Sequence, residues 1–128
     1  QKGRTTNGIF APWFMYKEDF LGHDELFAPQ SREDSDLFNR FLLEGYELIQ
    51  SWDALVYHFT SRGSRFNPYS GGATGRDSPE WQDTNTKNER NFLLKWGTPP
   101  MHDEYMMPIV SKESKKHYEN YIQKRNKI

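Results

Sequence analysis

The spacing of apolar residues changes abruptly near residue 45, and this change constrains the fold more than any other feature. A single apolar stripe at helical spacing precedes the change and consists of Leu37, Phe38, Phe41 and Leu42. Gly45 then stands where a helix C-terminal glycine is expected. After it, residues 46–52 and 54–59 are rich in aromatic and aliphatic side chains typical of strands. A helix followed directly by two strands predicts an α/β fold.

The remaining segments extend this prediction to one domain, residues 1–128. We expect a mixed sheet flanked by helices and ending in a C-terminal helix, with a further strand near 9–16. The three predicted helices cover residues 33–44, 85–96 and 112–126. Ser31 and Asp34 match a capping box for the first, and Ser111 is the expected N-cap of the last. Residues 60–84 are dominated by Gly, Ser, Pro, Asn, Thr and Arg, which predicts a long flexible loop.

Composition limits the classes of protein that fit. Hydrophobic residues are only 34% of the chain, but aromatic residues reach 16% and the net charge is -1, so we expect a folded core built on aromatic rings. No cysteine, no secretory signal and no long apolar run is present, which predicts a cytoplasmic protein without a membrane span. Residues 17–53 carry ten acids and three bases, a net of -7, which argues against nucleic-acid binding there.

Three carboxylates in the sequence Glu33-Asp34-Ser35-Asp36 form the most suggestive cluster. They open the first predicted helix, where free backbone N–H groups and the helix dipole favour anions, so a solvated surface explains them without any function. The alternative is that one of them serves as a general base. The apolar stripe places Asp34 over the core-facing edge, and Asp36, about 200° around the helix, is expected to point elsewhere.

Three weaker signals lie on either side of this helix. The sequence Gly22-His23-Asp24-Glu25 predicts a polar turn, which is a common feature of any protein surface. His58 lies in an apolar run and is either a half-buried packing residue or a metal ligand beside carboxylates. Arg62 and Arg65 lie in the glycine-rich loop. Arginines there could bind a phosphate group, but they are also common in loops without any ligand.

Taken in order, these elements resemble the second half of GT-A glycosyltransferases of the family-2 kind. The order is an aromatic strand, Gly22-His23-Asp24-Glu25 with Phe27, Glu33-Asp34-Ser35-Asp36-Leu37 with Arg40, Gly45-Tyr46, and a strand with His58. Asn91-Phe92 and Lys95-Trp96-Gly97 resemble a weaker downstream element of some members. The resemblance covers residues 9–66 well and residues 85–97 loosely.

The resemblance implies that a sugar passes from a nucleotide-sugar donor to a saccharide acceptor hydroxyl with inversion. Asp34 would then be the general base. Asp24, Glu25 and Glu33 would contact sugar hydroxyls, and Trp13 would either stack on a sugar ring or pack in the core. Arg62 and Arg65, in the glycine-rich loop, are also expected to contact substrate, a prediction that comes from the loop and not from the resemblance. His58 would be a ligand of a divalent metal, Mn or Mg, in the complete enzyme.

The donor side of the family fold has no match here, because no Asp-x-Asp stands upstream of Trp13. We therefore expect a partial fold, the C-terminal half of such an enzyme. This half alone is expected neither to bind a nucleotide sugar tightly nor to transfer sugar. It is also expected to self-associate through its aromatic segment, residues 9–16.

Two other functions compete with this one. A non-catalytic carbohydrate-binding or interaction module would also suit a chain rich in aromatic rings. A metal-dependent phosphohydrolase would use His23-Asp24, His58 and His102-Asp103, and would need a largely helical bundle to gather them.

Overall fold

The computed structural model describes residues 13–51, 53 and 79–127, and within them helix predominates over strand. The α-helices are α1 (Glu33–Leu43), α2 (Pro79–Trp96) and α3 (Lys112–Asn126). Two strands, β1 (Met101–His102) and β2 (Pro108–Ile109), pair antiparallel, and short 3-10 helices cover Lys17–Asp19 and Glu25–Phe27. The coarse expectation of helices combined with a sheet is confirmed, although this sheet is a small hairpin.

Helix α1 occupies the predicted segment, but it begins differently. Ser31 does not cap it; the N-cap is Arg32, which adopts a left-handed backbone with φ of 71° and makes no capping side-chain hydrogen bond. The capping-box prediction was therefore wrong, because the Ser31 hydroxyl donates instead to Asn85 Oδ1 at 2.7 Å. The C-terminal prediction is confirmed.

Gly45 has a φ of 86° and its N–H donates to the Leu42 carbonyl, while the Tyr46 N–H donates to the Phe41 carbonyl. This is a Schellman arrangement, and the ring contact between Phe41 and Tyr46 at 5.1 Å completes it.

Helix α2 begins six residues before the predicted position, so the loop prediction for residues 60–84 was wrong over its last part. Pro79 stands at the first helical position, where a missing N–H costs nothing and the fixed φ favours the helix. The helix ends as predicted, at Trp96, with Gly97 following at a φ of 75°.

Helix α3 matches its prediction closely. It spans Lys112–Asn126, and the Ser111 hydroxyl accepts a hydrogen bond from the Ser114 N–H. Local signals were sufficient here because the cap and the apolar stripe lie within the helix itself.

The predicted strands find no support within the described residues. Residues 13–16 and 46–51 form no ladder there, since a strand needs a hydrogen-bonded neighbour. The rest of these two segments and the predicted strand 54–59 lie outside the described residues. The observed hairpin β1–β2 was not predicted; the Asp103 carboxylate stabilises its turn by accepting from the Tyr105 and Met107 N–H groups.

A column of four aromatic side chains forms the core between α2 and its neighbours. We call Phe27, Phe92, Trp96 and Tyr118 the aromatic column. Its successive ring centroids are 6.2, 6.2 and 4.3 Å apart, and Trp96 and Tyr118 stack at an interplanar angle of 6°. Leu26, Leu43 and Val110 pack against it.

Candidate active site

Asp36 is the buried carboxylate of the acidic helix start. Its side chain is fully inaccessible, and Oδ1 lies 2.8 Å from Lys95 Nζ and accepts from the Trp96 indole at 2.8 Å. Oδ2 accepts from Arg40 Nε at 2.9 Å, one helical turn along α1. The expectation that Asp36 points away from the interior was wrong, because a lysine and an indole from α2 make that interior polar.

Lys95 joins this carboxylate to a second one. Its ammonium is 2.7 Å from Asp24 Oδ2 and only 1% of its side chain is exposed. Arg125, near the end of α3, approaches the same Asp24 oxygen at 2.9 Å. We call these five residues, Asp24, Asp36, Arg40, Lys95 and Arg125, the charged cluster. Two acids and three bases leave it with one excess positive charge, so every buried carboxylate has an opposite charge beside it.

Asp24 is held ionised by its partners. Burial on its own would raise the pKa of this carboxyl, but hydrogen bonds from Lys95, the Leu26 N–H and Arg125 together lower it to about 2. Its other oxygen accepts the Leu26 N–H at 3.0 Å and so caps the 3-10 helix Glu25–Phe27. Both oxygens of this predicted substrate-binding residue are therefore engaged in the structure.

The charged cluster was missed in the sequence, although one signal for it was present. Lys95 lies three residues after Phe92 and beside Trp96, on the apolar face of α2. If the ammonium of such a lysine is buried, it needs an acid beside it. The acid itself could not have been named, because Asp36 and Asp24 lie about 60 and 70 residues away in the chain.

Asp34 lies apart from this cluster and is half-buried. Trp13 Nε1 donates a long hydrogen bond to its Oδ1 at 3.4 Å. The Trp13 ring belongs to a triangle with Phe20 and His23, with centroids 6.0, 6.1 and 5.6 Å apart. We call these three rings the aromatic patch; Phe20 is 43% exposed and His23 is exposed as well. The structure thus brings together the predicted base and one predicted substrate residue.

The other predicted site residues are distributed differently. Glu33, the first residue of α1, is half-buried, and Glu25 is exposed on its 3-10 helix. Arg62, Arg65 and His58 lie outside the described residues, so their roles stay predictions.

No metal centre is formed by the part of the chain that the structure describes. Within residues 13–51, 53 and 79–127, no three His, Asp or Glu side chains are grouped so that they could hold an ion. In particular, the described His and Asp residues proposed for a phosphohydrolase are not gathered into a ligand set. None of the described helices combines the length and apolar character needed to cross a membrane.

Comparisons with known proteins add no relative. No protein-family model matches the chain, and neither a curated protein nor a solved structure matches it.

Proposed function

We propose that this chain supplies the acceptor side of a GT-A-type, family-2-like glycosyltransferase, with Asp34 as general base. The observation that carries the proposal is the division between the two aspartates of Glu33-Asp34-Ser35-Asp36. Asp36 is buried and neutralised by Lys95 and Arg40. Asp34 lies instead beside the aromatic patch. This division supports a structural role for Asp36 and leaves Asp34 as the carboxylate that we propose for the chemistry.

The proposed reaction needs only one proton acceptor from this half. The acceptor hydroxyl oxygen forms a bond to the anomeric carbon of the donor sugar, and the bond from that carbon to the diphosphate oxygen breaks. The electron pair leaves with the nucleoside diphosphate, and the hydroxyl proton passes to Asp34. A positioned carboxylate contributes about 10²–10⁴-fold to such a step.

The aromatic patch supports a saccharide as the acceptor. The axial C–H groups of a pyranose give it apolar faces, which stack on aromatic rings, while its hydroxyls remain free for carboxylates. Trp13 offers both a ring and an indole N–H, and that N–H donates a long hydrogen bond to Asp34 Oδ1. A carboxylate at the edge of an aromatic surface therefore suits a sugar hydroxyl as its partner.

The described residues form no ligand group for the predicted divalent metal. The chemistry that such a metal would supply is neutralisation of the leaving diphosphate.

A non-catalytic carbohydrate-binding module is the second candidate, and the same aromatic patch favours it. Such a module needs the rings but not an ionised Asp34. Replacing the carboxylate by an amide therefore separates the two functions.

The test measures sugar transfer by the longest natural polypeptide that carries these residues. Uridine and guanosine diphosphate sugars with Mn²⁺ serve as donors, and a saccharide panel serves as acceptors. We expect Asp34→Asn to lower kcat by about 10²-fold or more. Thermal unfolding should be close to wild type, because Asp34 is only half-buried. Glu44→Gln, an acid-to-amide change at the exposed far end of the same helix, is the matched control.

Two results would argue against the proposal. Turnover of Asp34→Asn within about threefold of wild type would remove Asp34 as the base. Saccharide binding without transfer by the wild-type protein, unchanged in Asp34→Asn, would favour the binding module.

A further inference from the structure

The segment that carries Asp34 is fastened to α2 on both sides of this residue. Three residues before it, the Ser31 hydroxyl donates to Asn85 Oδ1 at 2.7 Å. Two residues after it, Asp36 meets Lys95 and Trp96, each at 2.8 Å. Both attachments therefore belong to one rigid helix, and together they fix where α1 begins and how it is rotated about its axis.

The backbone just before α1 would not hold its shape unaided. Ser31 and Arg32 are consecutive left-handed residues, with φ of 81° and 71°. This conformation is unfavourable for a non-glycine residue and persists only where the surroundings impose it. Here the surroundings are again α2, because Asn85 holds Ser31, Glu89 pairs with Arg32 at 2.8 Å, and Asn88 donates to the Gln30 carbonyl.

We infer that α2 is the positioning element of the candidate site, with Asn85 and Lys95 as positioning residues for the Asp34 carboxylate. Asn85 sets the left-handed turn that starts α1, and Lys95 sets the rotation of its first turn through Asp36. The hydrogen bonds and ion pairs of Asn85 and Lys95 go to residues other than Asp34, and neither residue needs to touch substrate. Their catalytic consequence rests on the function proposed above, whereas their effect on Asp34 geometry does not.

The experiment measures the position of the Asp34 carboxylate by NMR in the 128-residue chain. The Trp13 indole N–H donates to Asp34, so its ¹H–¹⁵N NMR resonance reports the placement of this carboxylate. Asp34→Asn defines the resonance position when the charged acceptor is lost. Asn85→Ala and Lys95→Met are expected to move the indole resonance toward that position, and the Asp34 amide resonance should move with it.

Matched variants separate positioning from general loss of stability. Val110→Ala removes packing against the aromatic column and should leave the Trp13 indole resonance unchanged. Asn85→Gln keeps an amide oxygen for the Ser31 hydroxyl and an amide N–H for Glu89, and should restore most of the wild-type resonance. Because Asn85 is only half-buried, Asn85→Ala should fold even if Lys95→Met does not.

A second experiment measures sugar transfer by the same variants in the longest natural polypeptide that carries these residues. A displacement of the base by a fraction of an ångström should lower kcat of Asn85→Ala by about tenfold with KM within twofold, and Asn85→Gln should recover it. An indole resonance in Asn85→Ala identical to wild type would overturn the inference. Absence of transfer by the wild-type protein, with the resonance shifts present, would instead count against the proposed function alone.

Discussion

Helix α2 meets its two helical neighbours through opposite chemistries. Toward α3 it presents Phe92 and Trp96, which continue into the stacked ring of Tyr118. Toward α1 it presents Lys95, whose ammonium lies between two carboxylates and is 1% exposed. The lysine also lies 5.6 Å from the ring centroid of Phe27 and 5.8 Å from that of Tyr118, so the two regions touch.

The difference predicts how each region responds to substitution. Apolar packing loses stability gradually, in proportion to the atoms removed and the cavity left. A buried charge network loses much more when one member is removed, because its former partner remains buried and uncompensated. The charged cluster should therefore be the more sensitive region, although the aromatic column buries more apolar surface.

The largest expected effect comes from Lys95→Met. It should reduce the free energy of unfolding by about 3 kcal/mol, since Asp24 and Asp36 lose the buried cation that they share and each keeps only one arginine. Phe92→Leu, one turn earlier on α2, should cost less than about 2 kcal/mol. Urea unfolding followed by tryptophan fluorescence measures both. A larger loss for Phe92→Leu than for Lys95→Met would reverse the comparison.

The sequence predicted the helices, which depend on local residues, but not the charged cluster, which joins residues far apart in the chain. Helices α1 and α3 were predicted because their stripes, Gly45 and Ser111 lie within the helices or beside them. The charged cluster joins residues such as Asp24 and Arg125, which are about 100 positions apart, and no local pattern encodes such a pairing. Asp34 and Trp13 were both named as site residues, but only the structure shows their contact.

The next largest effect is expected at Gly97, where the end of α2 meets His117 of α3. Gly97 has a φ of 75°, and a Cβ there would lie 2.8 Å from His117 Cγ, closer than real contacts allow. Gly97→Ala should therefore cost about 2–3 kcal/mol, made up of backbone strain and displacement of the His117 ring. Gly45→Ala has a similar φ of 86° with nothing within 4 Å, so it should show only the backbone part, about 1 kcal/mol.

Calorimetric melting temperatures of these two variants give the contribution of the His117 contact by difference. Equal losses for Gly97→Ala and Gly45→Ala would show that α3 moves aside at no cost. The aromatic column would then be held less tightly than its stacking geometry indicates.

Acid should weaken the charged cluster before it weakens the aromatic column. The pKa of Asp24 is about 2 in the folded protein against an ordinary 3.8. A lowered pKa contributes stability that is complete above about pH 4 and is lost as the pH falls toward 2, a loss of about 2 kcal/mol. The difference in unfolding free energy between wild type and Asp24→Asn should therefore shrink by this amount between pH 5 and pH 2. A constant difference would mean that Asp24 is not held ionised by Lys95.

The smallest effect concerns the exposed end of the charged cluster. Arg125 is 52% exposed, although its partner Asp24 is only 8% exposed, and the hydrogen bond to Asp24 raises the pKa of Arg125. Water and salt screen such a half-exposed pair, so Arg125→Gln should cost only about 0.5–1 kcal/mol. Lys124→Gln removes the same charge from the neighbouring exposed position and provides the control.

The loss for Arg125→Gln should fall further in 1 M sodium chloride, whereas the loss for Lys95→Met should persist, because ions screen a buried pair much less. A salt response of equal size in both variants would mean that Lys95 is as open to solvent as Arg125, and the distinction between a buried charged cluster and its exposed end would fail.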